Sequence, residues 1–308
     1  MKAARIHGYG GPSAVIVEEV DKPGVGPGEV LVKVAAAAVN PVDWKLREGY
    51  LRQQLQLGFP FTLGCDLSGV VAEVGEGVVD WRIGDAVYGY PHLLRCGAFA
   101  EYACMLEGEL APAPIGLDLA EAAALPVASI TAWDGLFTHG ALQPGERVLV
   151  LGGAGGVGSA AVQMAVAAGA EVWATTSRRN FDFVGALGAR PIDYQNQKVA
   201  DIVAPVDLLF DSVGIEAGMA AIDSLKPGGR YVTSVYGLPP AEILRERHLK
   251  TAVYGIQPSG ERLRTINAIV ERGALRLSVE REFPLREARA ALEASQAGRT
   301  RGKLLLRP

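Results

Sequence analysis

Between the apolar run Val148–Leu151 and an alanine-rich run after Ser159 lies GGAGGVG, residues 152–158, with five glycines in seven positions. Glycine loses more backbone freedom on folding than any other residue, so a cluster this dense needs a physical reason. Gly153, Gly155 and Gly158 match G-x-G-x-x-G between a predicted strand and a predicted helix. The pattern alone is weak, but in strand–loop–helix context it is specific. There the glycines allow a tight turn, close backbone approach to a pyrophosphate and close helix–strand packing. Gly153, Ala154, Gly155, Gly156, Val157 and Gly158 are therefore the candidate cofactor cradle. Free N–H groups and the positive end of a helix expected to begin near Ser159 would face the phosphates. The plain alternative is a tight turn that holds nothing.

Dinucleotide sites that select NAD place an Asp or Glu about 20 residues further on, against the ribose hydroxyls. Here that count lands on Arg178, in Ser177-Arg178-Arg179-Asn180, with no acid before Asp182. A guanidinium pairs with a 2′-phosphate through charge-assisted hydrogen bonds. The expected cofactor is NADPH, held at this end by Ser177, Arg178 and Arg179. Tyr194, closing the next strand, is a candidate to stack on or bond the same phosphate. Two solvated arginines and an ordinary strand-end tyrosine are the alternative.

The rest of the chain sorts into two textures. Residues 1–120 carry short β patterns with Gly and Pro punctuation, such as GEVLVKVAAAAV. From about Pro144 strands and helices alternate, which predicts a parallel doubly wound sheet. The tail from LSVEREFPL to GKLLLRP is strand-like again and is expected to return to the first domain. Two domains fit 308 residues at roughly 100–200 per domain. A net charge of −4 without a long Lys/Arg run argues against a nucleic-acid partner. No apolar leader and no charge-free apolar run of about 18 residues is seen, so neither secretion nor a membrane span is expected. Three cysteines without CxxC fit a reducing cytoplasm.

Taken together, GVGPGEVLVKV, AVNPVDWKLREG, LGCDLSGVVAEVGEGV, GDAVYG, LPVASITAWDGL, GGAGGVGSAAVQMAVAAGA, FDSVG and RGKLLL resemble the zinc-free quinone oxidoreductases of the medium-chain dehydrogenase/reductase superfamily. The resemblance covers nearly the whole chain. It implies a Rossmann domain (122–260) inserted in a mostly antiparallel GroES-like domain (1–121 and 261–308), with the active site in the cleft between them. It also implies that the last Rossmann strand, TAVYGI, pairs with its mate in a homodimer. A bare apolar edge strand favours such closed pairing.

Zinc alcohol dehydrogenases of the superfamily place a Cys, a Gly-His-Glu and a distant Cys or Asp around their metal. Here those positions read Asn40 and Gly64-Cys65-Asp66, a poor start for a tetrahedral site, and no metal is expected. Without a Lewis acid, an already electrophilic acceptor is the easier substrate. A quinone or an enone takes hydride and gathers negative charge on oxygen. In AVNPVDWK, which the resemblance puts where the cleft opens, Lys45 is the candidate oxyanion donor. Asp43 would orient it, and Asn40 would hold the acceptor or the nicotinamide ribose. A surface turn pair and turn chemistry at Asn40-Pro41 are the alternatives. The resemblance places Thr131 near the nicotinamide carboxamide and Lys303 near the cofactor, the latter with an exposed strand-edge lysine as alternative. Val213 and Gly214 form the second βα crevice, with Ser234 beside them. Tyr236 is a candidate proton donor or a cleft wall. Tyr50 and Phe59 are candidate acceptor-pocket residues.

The function expected is NADPH-dependent reduction of quinones or carbonyl-conjugated alkenes. The first alternative is a reductase dedicated to enones, alkenals or enoyl thioesters. An alternative of another class is a non-catalytic NADPH-binding structural or regulatory protein.

Overall fold

The computed structural model describes residues 1–203 and 205–308. The chain divides into two compact units: Met1–Val127 with Gln257–Glu271 and Leu277–Pro308, and Ala128–Ile256 with Arg272–Arg276. The divisions fall a few residues from those read in the sequence, and local bonding accounts for them. The N–H of Val127 donates to Asp66 Oδ1 at 2.8 Å, which ties 122–127 to the first unit. The N–H of Arg276 donates to Gln163 Oε1 at 3.0 Å, which ties 272–276 to the second.

The first unit is built around the strand Glu29–Val39. It pairs antiparallel with Asp66–Val74, Tyr102–Leu106 and Lys303–Arg307. Only Val279–Pro284 runs parallel to its neighbour, Lys303–Arg307, so this seven-stranded sheet is mostly antiparallel. The C-terminal tail thus joins the first unit by pairing, as an unpaired LLL run required. A second sheet of three antiparallel strands holds Lys2–Ile6 at its centre. Gly69 permits the tight approach of Asp66–Val74 to the central strand, because a side chain there would collide with the Lys33 carbonyl. The helix Ala288–Gln296 between the last two strands was not read from the sequence.

The second unit holds six parallel strands. In chain order they are Arg147–Leu151, Glu171–Thr176, Arg190–Asp193, Val206–Asp211, Leu225–Thr233 and Lys250–Val253. Across the sheet the order is third, second, first, fourth, fifth, sixth. This is the Rossmann order, and its reversal point lies between Arg147–Leu151 and Val206–Asp211. Buried Leu149, Val150, Leu208, Leu209 and Phe210 show why these strands read as continuous apolar runs: both faces of the sheet are covered.

Candidate active site

The glycine loop opens where Arg147–Leu151 ends. Gly152 takes the left-handed φ of 73°, and its N–H donates to Thr175 Oγ1 at 3.0 Å. The next N–H, of Gly153, donates to the Thr175 carbonyl at 2.9 Å, so the loop is stitched to the neighbouring strand. A Cβ on Gly153 would stand 2.6 Å from Ala174 Cβ, and one on Gly158 would collide with the Gly152 carbonyl oxygen. Gly155 is different, since its nearest neighbour would be at 3.5 Å, an ordinary contact. The helix runs Gly156–Ala167 with Gly155 as its N-cap, three residues earlier than expected. Glycine is a poor helix former, so sequence reading discounts it; packing against Gly152 overrides the propensity. The first intrahelical bond is from Ser159 N–H to the Gly155 carbonyl, 2.8 Å. The N–H groups of Gly156, Val157 and Gly158 precede it and remain free donors for an anion. The cradle's shape and donors fit a dinucleotide pyrophosphate.

Beside the cradle, Ser177 is half-buried and leads into a turn, Arg178–Asn180, whose two arginines are exposed. The Arg178 guanidinium lies 4.6 Å from the Phe181 ring centroid. Tyr194 follows the adjacent strand and is 58% exposed. Basic and aromatic groups therefore gather at the same strand ends as the glycine loop. Across the reversal point, buried Asp211 shapes the second turn. Its Oδ1 accepts from the N–H groups of Val213 and Gly214 at 2.8 and 3.0 Å, and its Oδ2 accepts from the Tyr231 hydroxyl at 2.8 Å. The N–H of Ser234 donates to the Asp211 carbonyl at 3.1 Å. Tyr236 stands exposed just beyond. Thr131 is buried, and its carbonyl accepts the Tyr254 hydroxyl at 2.5 Å.

In the first unit, sheet register creates a buried polar cluster. Ala38 pairs with Asp66, and Val39 pairs with Leu304. Asn40, Asp66 and Lys303 thus meet at the ends of three adjacent strands. Lys303 Nζ donates to Asn40 Oδ1 at 2.6 Å and to Asp66 Oδ2 at 3.0 Å. Asn40 Nδ2 donates to Asp66 Oδ2 at 2.8 Å. Lys303 is 4% exposed and Asp66 fully buried. Pro41–Glu48 is a helix, and Asp43 Oδ2 accepts from the Asn40 N–H at 2.7 Å at its start. Asp43 Oδ1 is buried without a partner. Burial pushes the Asp43 carboxyl up to about 7, against the backbone bond from Asn40. Burial likewise raises Asp66, with Lys303 and Asn40 pulling it back.

This geometry bears on three sequence expectations. Asn40 is held inside the cluster by both ends of its amide, Oδ1 accepting from Lys303 and Nδ2 donating to Asp66. Lys303 is not an exposed strand-edge lysine; it is buried and serves as the counter-ion of Asp66. Asp43 does not orient Lys45, because residues two apart on a helix do not share a face. Lys45 is half-buried, 5.6 Å from the Trp44 ring centroid, with no ion pair among the described residues. Tyr50 is 64% exposed and meets Trp44 edge-on, and Phe59 meets Tyr9 edge-on with centroids 4.9 Å apart.

The same cluster bears on zinc. Asn40, Cys65 and Asp66 offer one neutral amide, one thiol and one carboxylate already bonded to an ammonium. The hydrogen bond with Cys96, and then burial, push the Cys65 thiol up, whereas a zinc ligand must be a thiolate. Among the described residues no group of three His, Cys, Asp or Glu can hold a metal. The donor set does not fit a tetrahedral zinc site.

Comparison with known proteins follows the same lines. Residues 26–115 match the family described as the alcohol dehydrogenase GroES-like domain, and residues 187–306 match the family described as zinc-binding dehydrogenase. The chain is 34% identical to 2-methylene-furan-3-one reductase of Solanum lycopersicum, over all of this chain and 79% of that one. It superposes on the quinone oxidoreductase of Coxiella burnetii with a TM-score of 0.91 at 33% identity, covering 100% and 99% of the two chains. On the Escherichia coli quinone oxidoreductase complexed with NADPH the TM-score is 0.90 at 25% identity, with both chains fully covered.

Proposed function

The chain belongs to the quinone oxidoreductase-like branch of the medium-chain dehydrogenase/reductase superfamily, and on that premise we propose that it transfers hydride from NADPH to quinones or carbonyl-conjugated alkenes without zinc. The observation that carries the reading is the glycine cradle beside Arg178 and Arg179, where an NAD-type acid would stand. The N–H groups of the loop take the pyrophosphate, and the arginines take the 2′-phosphate. When bound, NADPH supplies the hydride from C4 of its nicotinamide.

The chain's own residues do the rest. Lys45 donates to the acceptor oxygen that gains charge, and its lack of a carboxylate partner leaves the ammonium available. Tyr50 and Phe59 offer flat apolar walls. Tyr236 is the proton-donor candidate. Lys303 serves as a fixed internal cation, which supports zinc independence: a divalent ion brought to Asn40 and Asp66 would meet a like charge. We extend the reading to a homodimer through the exposed edge strand Lys250–Val253, which light scattering at a monomer mass would remove. A cytoplasmic location completes it, supported by the low cysteine count; fractionation into an organelle would overturn that part.

The test is NADPH consumption against a panel of quinones and enones in the presence of a chelator. Turnover with either class, insensitive to chelator, is expected. Tight NADPH binding without oxidation by any acceptor would instead support a non-catalytic NADPH-binding protein.

A further inference from the structure

The first unit buries a second reactive pair that the hydride chemistry does not use. Cys65 Sγ and Cys96 Sγ lie 3.2 Å apart, closer than two sulfurs in van der Waals contact. Cys65 is fully buried and Cys96 is 3% exposed. They come from different elements. Cys65 immediately precedes the strand Asp66–Val74, and Cys96 lies in the irregular stretch between the strands Ala86–Gly89 and Tyr102–Leu106. Two flanking glycines fix the approach. Gly64 has φ of 96° with no room for a side chain against Phe99, and Gly97 has φ of 114°. The N–H of Ala98 donates to the Gly64 carbonyl at 3.0 Å, which holds the two cysteine-bearing backbones side by side. Cys104, the third cysteine, is set apart, with Sγ 3.5 Å from the Gly24 carbonyl.

We propose that Cys65 and Cys96 form a redox-modifiable dithiol that a hydroperoxide converts reversibly to an intrachain disulfide. The Cys96 thiolate attacks the peroxide oxygen, the O–O bond breaks, and a sulfenic acid forms with loss of water. The Cys65 sulfur then attacks the sulfenic sulfur, an S–S bond forms, and a second water leaves. In sum, two thiols and one hydrogen peroxide give one disulfide and two waters. The order follows from the surroundings. The hydrogen bond with Cys96, complete burial and then the neighbouring carboxyls of Asp43 and Asp66 disfavour a thiolate at Cys65, so it acts as the resolving thiol. Cys96 sits on the less regular segment and is the one of the pair not completely covered. Oxidation also has a local consequence. Cys96 Sγ donates to the Leu93 carbonyl at 3.1 Å, and a disulfide has no proton to give, so oxidation leaves that carbonyl without its donor.

The experiment uses the whole wild-type chain. Native protein is treated with hydrogen peroxide, quenched, denatured and thiol-counted. A glutamate-specific protease then cuts it without reduction. Cleavage after Glu48, Glu73, Glu76 and Glu101 places Cys65 and Cys96 on separate fragments and separates both from Cys104. The expected result is a fall from three titratable thiols to one, a linked pair of fragments 49–73 and 77–101, and recovery of three thiols with a dithiol reductant. Three thiols persisting, or thiols lost to sulfinic or sulfonic acids without a linked fragment, would overturn the proposal. So would a linkage that runs through Cys104. A Cys104→Ser chain repeats the count as two thiols falling to none and keeps the outcome independent of that residue.

Discussion

Asp43 makes the stability of this chain depend on pH in a direction opposite to that of an ordinary paired carboxylate. Its carboxyl is fully buried, one oxygen has no partner, and burial lifts it from 3.8 to about 7. Below about pH 4 the group is neutral in folded and unfolded chains alike, and the full stability is present. Between about pH 4 and 7 the unfolded chain releases the proton while the folded chain keeps it. Stability therefore falls as pH rises, by up to about 1.36 kcal/mol per pH unit, and levels off above the folded value. A shift of about three units amounts to roughly 4 kcal/mol in total. The perturbation is Asp43→Asn, whose neutral amide still accepts from the Asn40 N–H. The new amide hydrogens find no partner, which costs about 1–3 kcal/mol at every pH. The informative quantity is thus the difference between wild type and variant as a function of pH, read from urea unfolding between pH 4 and 8. Asp66 is raised by burial too, but it is present in both chains. Wild type should lose several kcal/mol relative to Asp43→Asn across that range. Parallel stability curves would show that Asp43 ionises freely and that the buried-carboxyl reasoning is wrong.

Three further outcomes follow from particular contacts. Gly158→Ala should abolish NADPH binding through collision with the Gly152 carbonyl, whereas Gly155→Ala, with its nearest neighbour at 3.5 Å, should bind NADPH within a few-fold of wild type; equal effects in a fluorescence titration would contradict the packing argument. Lys303→Met should destabilise the chain by about 3–5 kcal/mol by stranding Asp66, and Lys303→Met with Asp66→Asn should recover part of the loss; a double variant no better than the single one would deny the pairing. Arg178→Ala should weaken NADPH binding by about 10- to 150-fold, for a charged hydrogen bond of about 1.5–3 kcal/mol, and leave NADH nearly unchanged. The preference should shrink with salt, since the guanidinium is exposed. Equal weakening of both cofactors would reduce Arg178 to a solvated residue.

What the sequence made legible was whatever local pattern carries by itself. The glycine loop, the arginines in place of an acid and the alternating strands and helices each follow from short windows, and the structure sets them in one Rossmann sheet. The polar cluster of the first unit was not legible, because it depends on register. Nothing in AVNPVDWK says that Ala38 faces Asp66 or that Val39 faces Leu304. Without that pairing, Asn40 and Lys303 read as free groups available to a ligand. Asp66 was visible only as a departure from Gly-His-Glu. Thr175, which stitches the loop to its neighbour, and Asp211, which shapes the second turn, act through backbone N–H groups that sequence spacing does not reveal. The helix Ala288–Gln296 escaped notice because it is short and lies between two strand-like segments that read as one extended tail, although Ala288, Ala291 and Leu292 are all buried.

The central claim, direct hydride transfer from NADPH to a conjugated acceptor, is tested most directly by isotope. NADPH carrying deuterium at C4, prepared separately with each of the two positions labelled, is mixed with the protein and an enone in ordinary water. The account expects one preparation to deliver its deuterium to the β-carbon of the saturated product, and the other to retain it in the oxidised cofactor. An enone is the right acceptor for this measurement, because label placed on carbon is kept. Product formed without deuterium from either preparation would contradict it.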